Sequence, residues 1–338
     1  MAFFRQELAI DLGTANTVVF KDDKVILDEP SIIAIDTHAE KRIALGNEAQ
    51  LMEEQTPPGI TTIRPMMNGV IADYDAAELM LTGFIEKATG RRKSIFGPSI
   101  RMVIGIPGGS TPVDKRSIRD SAAHAGAADL KMIYEPMAAA LGIGLDVTAP
   151  NGNMIVDIGG GTTEVAVLSL GGIVLSKSLR TAGVELDEAI TSYIKRKYNI
   201  LIGETTAELL KKRIGSAHPA TDRGAMEVRG RNLLSGLPAV VTIRSGEVRE
   251  AMQNEVQQIV EVIRNTLENT PPELASDIYD TGIMLSGGGA LLAGIDLLIS
   301  RVTGIRTVVA KNPIDCVAVG IGRYIENGET GGLSYRNR

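Results

Sequence analysis

Apolar residues fall along this chain in short runs divided by turn residues, and one arrangement of runs and turn occurs twice. Residues 154–156 and 165–168 are β-branched and apolar, so each predicts a buried strand, with Asp157-Ile158-Gly159-Gly160-Gly161 as the reversal between them. Residues 8–20 follow the same grammar: apolar strand, Asp11-Leu12-Gly13, a hydroxyl-rich turn, apolar strand. One glycine-rich hairpin with an aspartate is most often only a turn. Two of them, each opening one half of the chain with the aspartate at the same point, predict two related halves.

The rest of the pattern fills in those halves. Residues 25–27 and 31–35 alternate like edge strands around Asp28-Glu29-Pro30, and the polar, turn-rich stretch up to Arg64-Pro65 predicts a small insertion. A helix is predicted over 75–89, with Leu79, Met80, Phe84 and Ile85 at helical intervals and Glu78 at capping-box spacing from Asp75. An apolar strand over 100–106 ends at Pro107-Gly108-Gly109, and a charged helix follows over 113–125. The second half repeats strand and helix at 173–180 and 185–197. Its insertion is predicted as a helix over 203–213 and short polar strands over 223–244. Residues 246–269 predict the longest helix, burying Val248, Met252, Val256, Ile259, Ile263 and Leu267 and closed by Pro271-Pro272. A strand over 283–285 runs into Ser286-Gly287-Gly288-Gly289 and a helix, another strand covers 307–310, and a closing helix begins at Cys316. Strands alternating with helices imply α/β cores of mixed sheet, here two, each with one insertion.

Composition narrows this picture. A length of 338 residues suits about two domains, and 44% hydrophobic residues suffice for full cores. The net charge of −6 without a long basic block argues against nucleic acid as the main partner, although Arg91-Arg92-Lys93 is a local patch. The lone Cys316 excludes an internal disulfide and fits a reducing compartment. No apolar run reaches membrane-spanning length and MAFFRQE is not built like a secretory signal, so a cytoplasmic location is expected.

Neither a P-loop nor a dinucleotide fingerprint occurs, so phosphate would have to be held by the hairpins. Glycines let such turns reach φ > 0 and turn their N–H groups onto an anion, and Asp157 at a strand end could hold a hydrated Mg²⁺ against it. Ser286-Gly287-Gly288-Gly289 reads either as a plain turn or as a nucleotide approach at a helix start. Glu204, Glu208 and Lys211 or Lys212 share a helix face, which on spacing alone is a solvated one. Glu135 precedes Pro136, which would hold it extended with the proline opening a helix; there it could serve chemistry or only the helix dipole.

The two Asp-x-Gly hairpins resemble the phosphate 1 and phosphate 2 motifs of the actin, Hsp70 and sugar-kinase ATPases. A closer resemblance is to the MreB family of bacterial actins. DLGTANT, IRPMMNGVIADY, YEPMAAALGIG, VDIGGGTTEVAVLSLGGIV, LIGETTAELLKKRIGSA, PPELASDIYDTGIMLSGGGALLAG and the stretch 316–324 are similar to it in order and spacing, over almost the whole chain. The resemblance implies an α/β actin-like ATPase fold of two duplicated mixed-sheet domains with a nucleotide cleft between them. Subdomain IA would comprise residues 1–32, 66–145 and 315–338, IB 33–65, IIA 146–181 and 246–314, and IIB 182–245.

It also implies ATP and Mg²⁺ as ligands. Gly13, Thr14, Ala15 and Asn16 would face Gly159, Gly160, Gly161 and Thr162 across the phosphates, with Asp11 and Asp157 reaching the metal through water. Asn16 would replace a lysine that actin has in the first loop. Gly287, Gly288, Gly289 and Ala290 would form the adenosine motif, and Glu204, Glu208 and Lys211 would close over ribose and adenine. Glu135 would orient the attacking water with Thr162 as its hydrogen-bonding partner, enough for slow hydrolysis coupled to assembly. Val184 stands where many relatives carry a carboxylate, and Asp187 would be only a helix-surface acid. The implied partners are further copies of the chain in paired protofilaments through the helix at Val113, the inner face of the cytoplasmic membrane through Phe3, Phe4, Ile95 and Phe96, and transmembrane cell-shape and wall-synthesis proteins. The implied role is to organise wall synthesis and keep the cell a rod. A sugar kinase would need a sugar-binding floor with a catalytic Asp where this chain has Glu135-Pro136. An Hsp70-type chaperone would need a β-rich domain beyond Gly289, where fewer than 50 residues follow.

Overall fold

The structure, a computed structural model, describes residues 6–39, 41–53, 55–90 and 99–326. β1 (Gln6–Leu12) and β2 (Asn16–Lys21) form the first hairpin, with Asp11 opposite Val18, and β3 (Lys24–Pro30) continues the meander. The first insertion is more regular than its polarity suggests. β4 (Ile33–Asp36), β5 (Lys41–Leu45), the short α1 (Asn47–Gln50) and β6 (Ile60–Ile63) make a three-stranded sheet over a small core of Ile32, Ala34, Ala44 and Ala49. β7 (Met66–Met67) and β8 (Val70–Ile71) form a minimal hairpin that turns on Asn68 and Gly69, with φ of 51° and 74°. Positive φ at both central residues is what an Asn-Gly pair supports.

α2 (Tyr74–Thr89) is capped by Asp73, whose carboxylate accepts from the Ala76 N–H. Asp73, not Asp75, is the residue still extended and able to reach back over the first turn, so the expected pairing of Asp75 with Glu78 lies inside the helix. β9 (Ile100–Ile106) lies parallel to β1, α3 (Pro112–His124) opens with a reciprocal Thr111–Asp114 capping box, and β10 (Ala127–Tyr134) lies parallel to β9 before α4 (Glu135–Ile143). The first sheet is therefore β3-β2-β1-β9-β10.

The second half has the same plan. β11 (Asn153–Ile158), β12 (Thr163–Ser169) and β13 (Gly172–Leu179) are the meander, followed by α5 (Gly183–Tyr198). Its insertion holds β14 (Ile200–Leu201), α6 (Glu204–Ile214), β15 (Ala225–Asn232) and β16 (Pro238–Arg244), with the strands paired in that order. The long helix expected over 246–269 is two, α7 (Ser245–Ala251) and α8 (Gln253–Glu268), broken at the buried Met252. α7 packs on α5, α6 and β16, while α8 packs on β12 and β13, and one straight rod could not serve both surfaces. α9 (Pro272–Thr281), which Pro272 opens and Ile278 anchors, has no counterpart among the elements expected from the pattern. β17 (Ile283–Ser286), α10 (Ile295–Thr303), β18 (Thr307–Val309) and α11 (Cys316–Glu326) complete the chain, giving a sheet ordered β13-β12-β11-β17-β18. In both sheets the third strand lies at one edge, the hairpin comes next, and two parallel strands follow.

The halves are joined by a helix pair. α11 lies against β1 and β2, α4 lies against β11 and β12, and the two pack closely on each other. Their core takes Ala9 and Val18 from one sheet, Ile155, Ala166 and Leu168 from the other, and Met137, Val317 and Ile321 between them. Gly142 and Gly320 make the crossing possible, since a Cβ on either would run into backbone carbonyl oxygen of the opposite helix.

Candidate functional site

The two glycine turns meet tip to tip. A Cβ on Gly160 would lie 2.6 Å from Ala15 Cβ and 2.9 Å from its backbone nitrogen, and one on Gly161 would lie 2.6 Å from Thr14 Oγ1. Only glycine lets these backbones approach so closely. A third turn, unforeseen in the sequence reading, wedges beside them. The Gly69 N–H donates to Thr14 Oγ1 at 3.0 Å, and Asn68 N lies 2.9 Å from where a Gly161 Cβ would be. Asn16 is exposed and donates its side-chain amide to Asp28 Oδ1 at 2.8 Å, so the proposed replacement for lysine is engaged on the neighbouring strand.

Four carboxyl groups gather behind the tips. Asp157 sits within β11, one residue before the turn, and accepts from Ser286 Oγ at 2.7 Å on the parallel strand beside it. Burial pushes its pKa up to about 6, against the Ser286 hydrogen bond. Asp11, partly open to the cleft, is pushed up to about 7 by desolvation and then by Asp157 and Asp28. Glu135 is raised well above the usual carboxylate range by burial and then by Asp11, Glu164 and Asp157. Glu164, which the sequence reading passed over, reaches about 7, mainly through burial. Anionic groups crowded in this way are a place where a cation would be bound. Among the described residues no three His, Cys, Asp or Glu side chains are set to enclose a metal ion alone. That fits Mg²⁺ held through water by one or two carboxylates plus ligand phosphates, the arrangement it commonly adopts.

Glu135 is not held extended as expected. Tyr134 is the extended cap (φ −69°, ψ 131°), Glu135 is the first helical residue of α4, and Pro136 falls in the first turn, where a missing N–H leaves nothing unsatisfied. Glu135 and Thr162 are both buried, and no hydrogen bond joins them among the described residues. Gly287 (φ 80°) and Gly289 pack on Ile158, whose backbone and side chain exclude a Cβ at either, while Gly288 faces open space. The turn leads into a short 3-10 segment, Gly288–Leu291 with Ala290 buried, rather than directly into a long helix.

On α6, Lys211 Nζ pairs with Asp187 Oδ2 at 2.6 Å and donates to the Gly183 carbonyl at 2.6 Å. Gly183 N in turn donates to Gly159 O, and Val184 N to Gly160 O, so Lys211 is linked to the second glycine turn. Asp187 is therefore no mere surface acid. Burial raises its pKa to about 6 in spite of Lys211, and its Oδ1 is buried without a hydrogen-bond partner among the described residues. Glu208 pairs with Lys212 at 2.7 Å, and Glu204 is exposed at the start of the helix. Val113 is 71% exposed in the first turn of α3. Phe3, Phe4, Ile95, Phe96 and the Arg91-Arg92-Lys93 patch lie outside the described residues.

Two α/β halves of identical strand order, opposed across paired Asp-x-Gly hairpins, define an actin-like fold. The MreB/Mbl protein family matches residues 5–331, and the chain belongs to that family. It is 48% identical over 328 residues to the cell shape-determining protein MreB of Escherichia coli (strain K12), covering 96% of this chain and 94% of that one. The crystal structure of MreB5 of Spiroplasma citri bound to ADP superposes with a TM-score of 0.90 at 35% identity, covering 97% of this chain and 99% of that one. A MamK double helical filament shares the fold at TM-score 0.80 and 21% identity, covering 95% and 99% of the two chains.

Proposed function

We propose that this chain binds Mg-ATP between its two glycine turns, hydrolyses it slowly, and polymerises into paired, membrane-associated filaments that organise wall synthesis and maintain rod shape. The observation that carries the reading is the convergence of two mirror-placed Asp-x-Gly hairpins, with Asp11 and Asp157 crowded together behind them. Membership of a family whose Escherichia coli relative is named cell shape-determining, and the ADP bound by the Spiroplasma relative, support it.

In this reading the N–H groups of residues 13–16 and 159–162 cradle the phosphates, and Asp11 and Asp157 would hold a hydrated Mg²⁺ by accepting from its waters. A bound Mg²⁺ would supply charge neutralisation at the phosphates. Glu135 accepts a hydrogen bond from the attacking water and Thr162 helps to align it, which suffices because phosphoryl transfer depends mainly on positioning. Lys211, Glu208 and Glu204 close the nucleoside side, and residues 287–290 provide its floor. Gly105 supports Glu135 from the first sheet, a Cβ there lying 3.4 Å from Glu135 Cγ. The subdomain limits we assign are 1–32, 66–145 and 315–338; 33–65; 146–181 and 246–314; and 182–245.

Glu135→Ala tests the reading. It removes only the water-orienting group, so ATP affinity is expected to hold while phosphate release from polymerised protein falls at least tenfold, about 1.4 kcal/mol of barrier. Unchanged turnover would refute the assignment.

A further inference from the structure

Asp157, Glu164 and Ser178 stand opposite one another on β11, β12 and β13, so the pleat sends all three side chains to one face of the second sheet. Glu164 is fully buried, and its carboxyl serves both halves of the molecule. Oε1 accepts from Ser178 Oγ at 2.5 Å within the second sheet, and Oε2 accepts from the Gly108 N–H at 3.0 Å in the loop after β9. That loop occupies a notch which only backbone can enter. A Cβ on Gly108 would lie 2.7 Å from Ser176 Oγ and 2.9 Å from Glu164 Oε2, and one on Gly109 would lie 3.0 Å from Ser178 Cβ. Ser176 Oγ is buried there without a hydrogen-bond partner among the described residues. On its near side the loop ends the strand that supports Glu135 through Gly105, and on its far side it leads to the Thr111 cap of α3.

We propose that Glu164 is a positioning residue. It latches the loop 107–110 of the first half onto the second sheet and so keeps Glu135, which belongs to the first half, aligned with Thr162, two residues before Glu164 on the opposing hairpin. The inference rests on the reading that Glu135 and Thr162 orient the attacking water. Misplacing a reacting group by about 1 Å can cost on the order of 100-fold in rate, so one hydrogen bond that fixes one half against the other, from a carboxyl braced by a second bond within its own sheet, bears on turnover without touching substrate.

The test combines turnover with amide hydrogen exchange of the loop. Glu164→Ala should lower phosphate release at saturating Mg-ATP at least about tenfold, leave KM within about threefold, and speed exchange across residues 107–110. Glu164→Gln keeps both bonds, its carbonyl accepting from Gly108 and its amide donating to Ser178 Oγ, and should restore both readouts. Gly108→Ala attacks the same contact from the loop and serves if Glu164→Ala does not fold. Unchanged loop exchange overturns the latch, and faster exchange with unchanged turnover, or no rescue by glutamine, overturns the positioning role. Glu135→Ala run alongside separates the premises: if it leaves turnover intact, the water-orienting reading has failed, and exchange alone judges the latch.

Discussion

Asp157 answers two opposed demands. Its charge is costly where it stands, which raises its pKa from 3.8 to about 6, yet an acceptor there is what the waters of a Mg²⁺ bound as proposed would need. Asp157→Asn keeps an oxygen to accept from Ser286 while removing the charge. The protein without nucleotide should therefore gain stability at pH 8, by up to about 3 kcal/mol for a shift of roughly two units. The sign follows from a pKa raised on folding. The penalty is absent below pH 3.8, where both states are protonated, and complete above about pH 6, where the folded state is ionised. Thermal unfolding of both variants at pH 8 and pH 4 should show the gain at the higher pH alone. Titrations with ATP should lose affinity in the presence of Mg²⁺ and change little in its absence. Equal loss under both conditions would contradict the metal role. Aspartates and glycines of this kind are legible in a sequence because the chemistry fixes their types and spacing. Glu164 was not. An acid on an apolar strand reads as a solvent-facing position, and its contact across the halves comes from a residue 56 positions away.

Elements showed a similar division. Strands and hairpins followed from β-branched runs and turn glycines, whereas breaks and starts set by tertiary packing did not. Met252 continues the apolar stripe without interruption, so nothing local marks the bend between α7 and α8. Asp73 outcompetes Asp75 as a cap through a backbone conformation that spacing does not reveal. α3 is the element on which the proposed pairing of protofilaments turns. Its capping box and Pro112 fix the first turn, and Val113 projects from that turn. If this face meets its own counterpart across a two-fold axis, Val113→Glu places two like, unpaired charges in one contact. Electron micrographs of the variant with ATP should show single filaments in place of paired ones. Persistent pairing would exclude α3 from the contact.

For the whole molecule, the duplication was plain in the sequence because each half announces itself with the same hairpin. The helix pair that joins the halves was not, since α4 and α11 are distant in sequence and their shared core draws on both sheets. The proposed membrane attachment also belongs to this scale. A buried aromatic or branched side chain contributes roughly 1.5–3 kcal/mol, and a nearby cation about 1 kcal/mol at an anionic surface. One subunit with Phe3, Phe4, Ile95, Phe96 and the Arg91-Arg92-Lys93 patch would therefore hold only weakly, and a filament would hold through many such sites. A variant with serine at all four positions should hydrolyse ATP and polymerise but no longer sediment with anionic liposomes. Sedimentation equal to the parent would place the insertion elsewhere.

The crossing at Gly142 and Gly320 is a bearing with no clearance. Where backbone rests on backbone, an added methyl group has no rotamer to move into, so any side chain at either position would have to push α4 and α11 apart. Because the core around this pair draws on both sheets, that separation would be passed to both halves of the molecule at once.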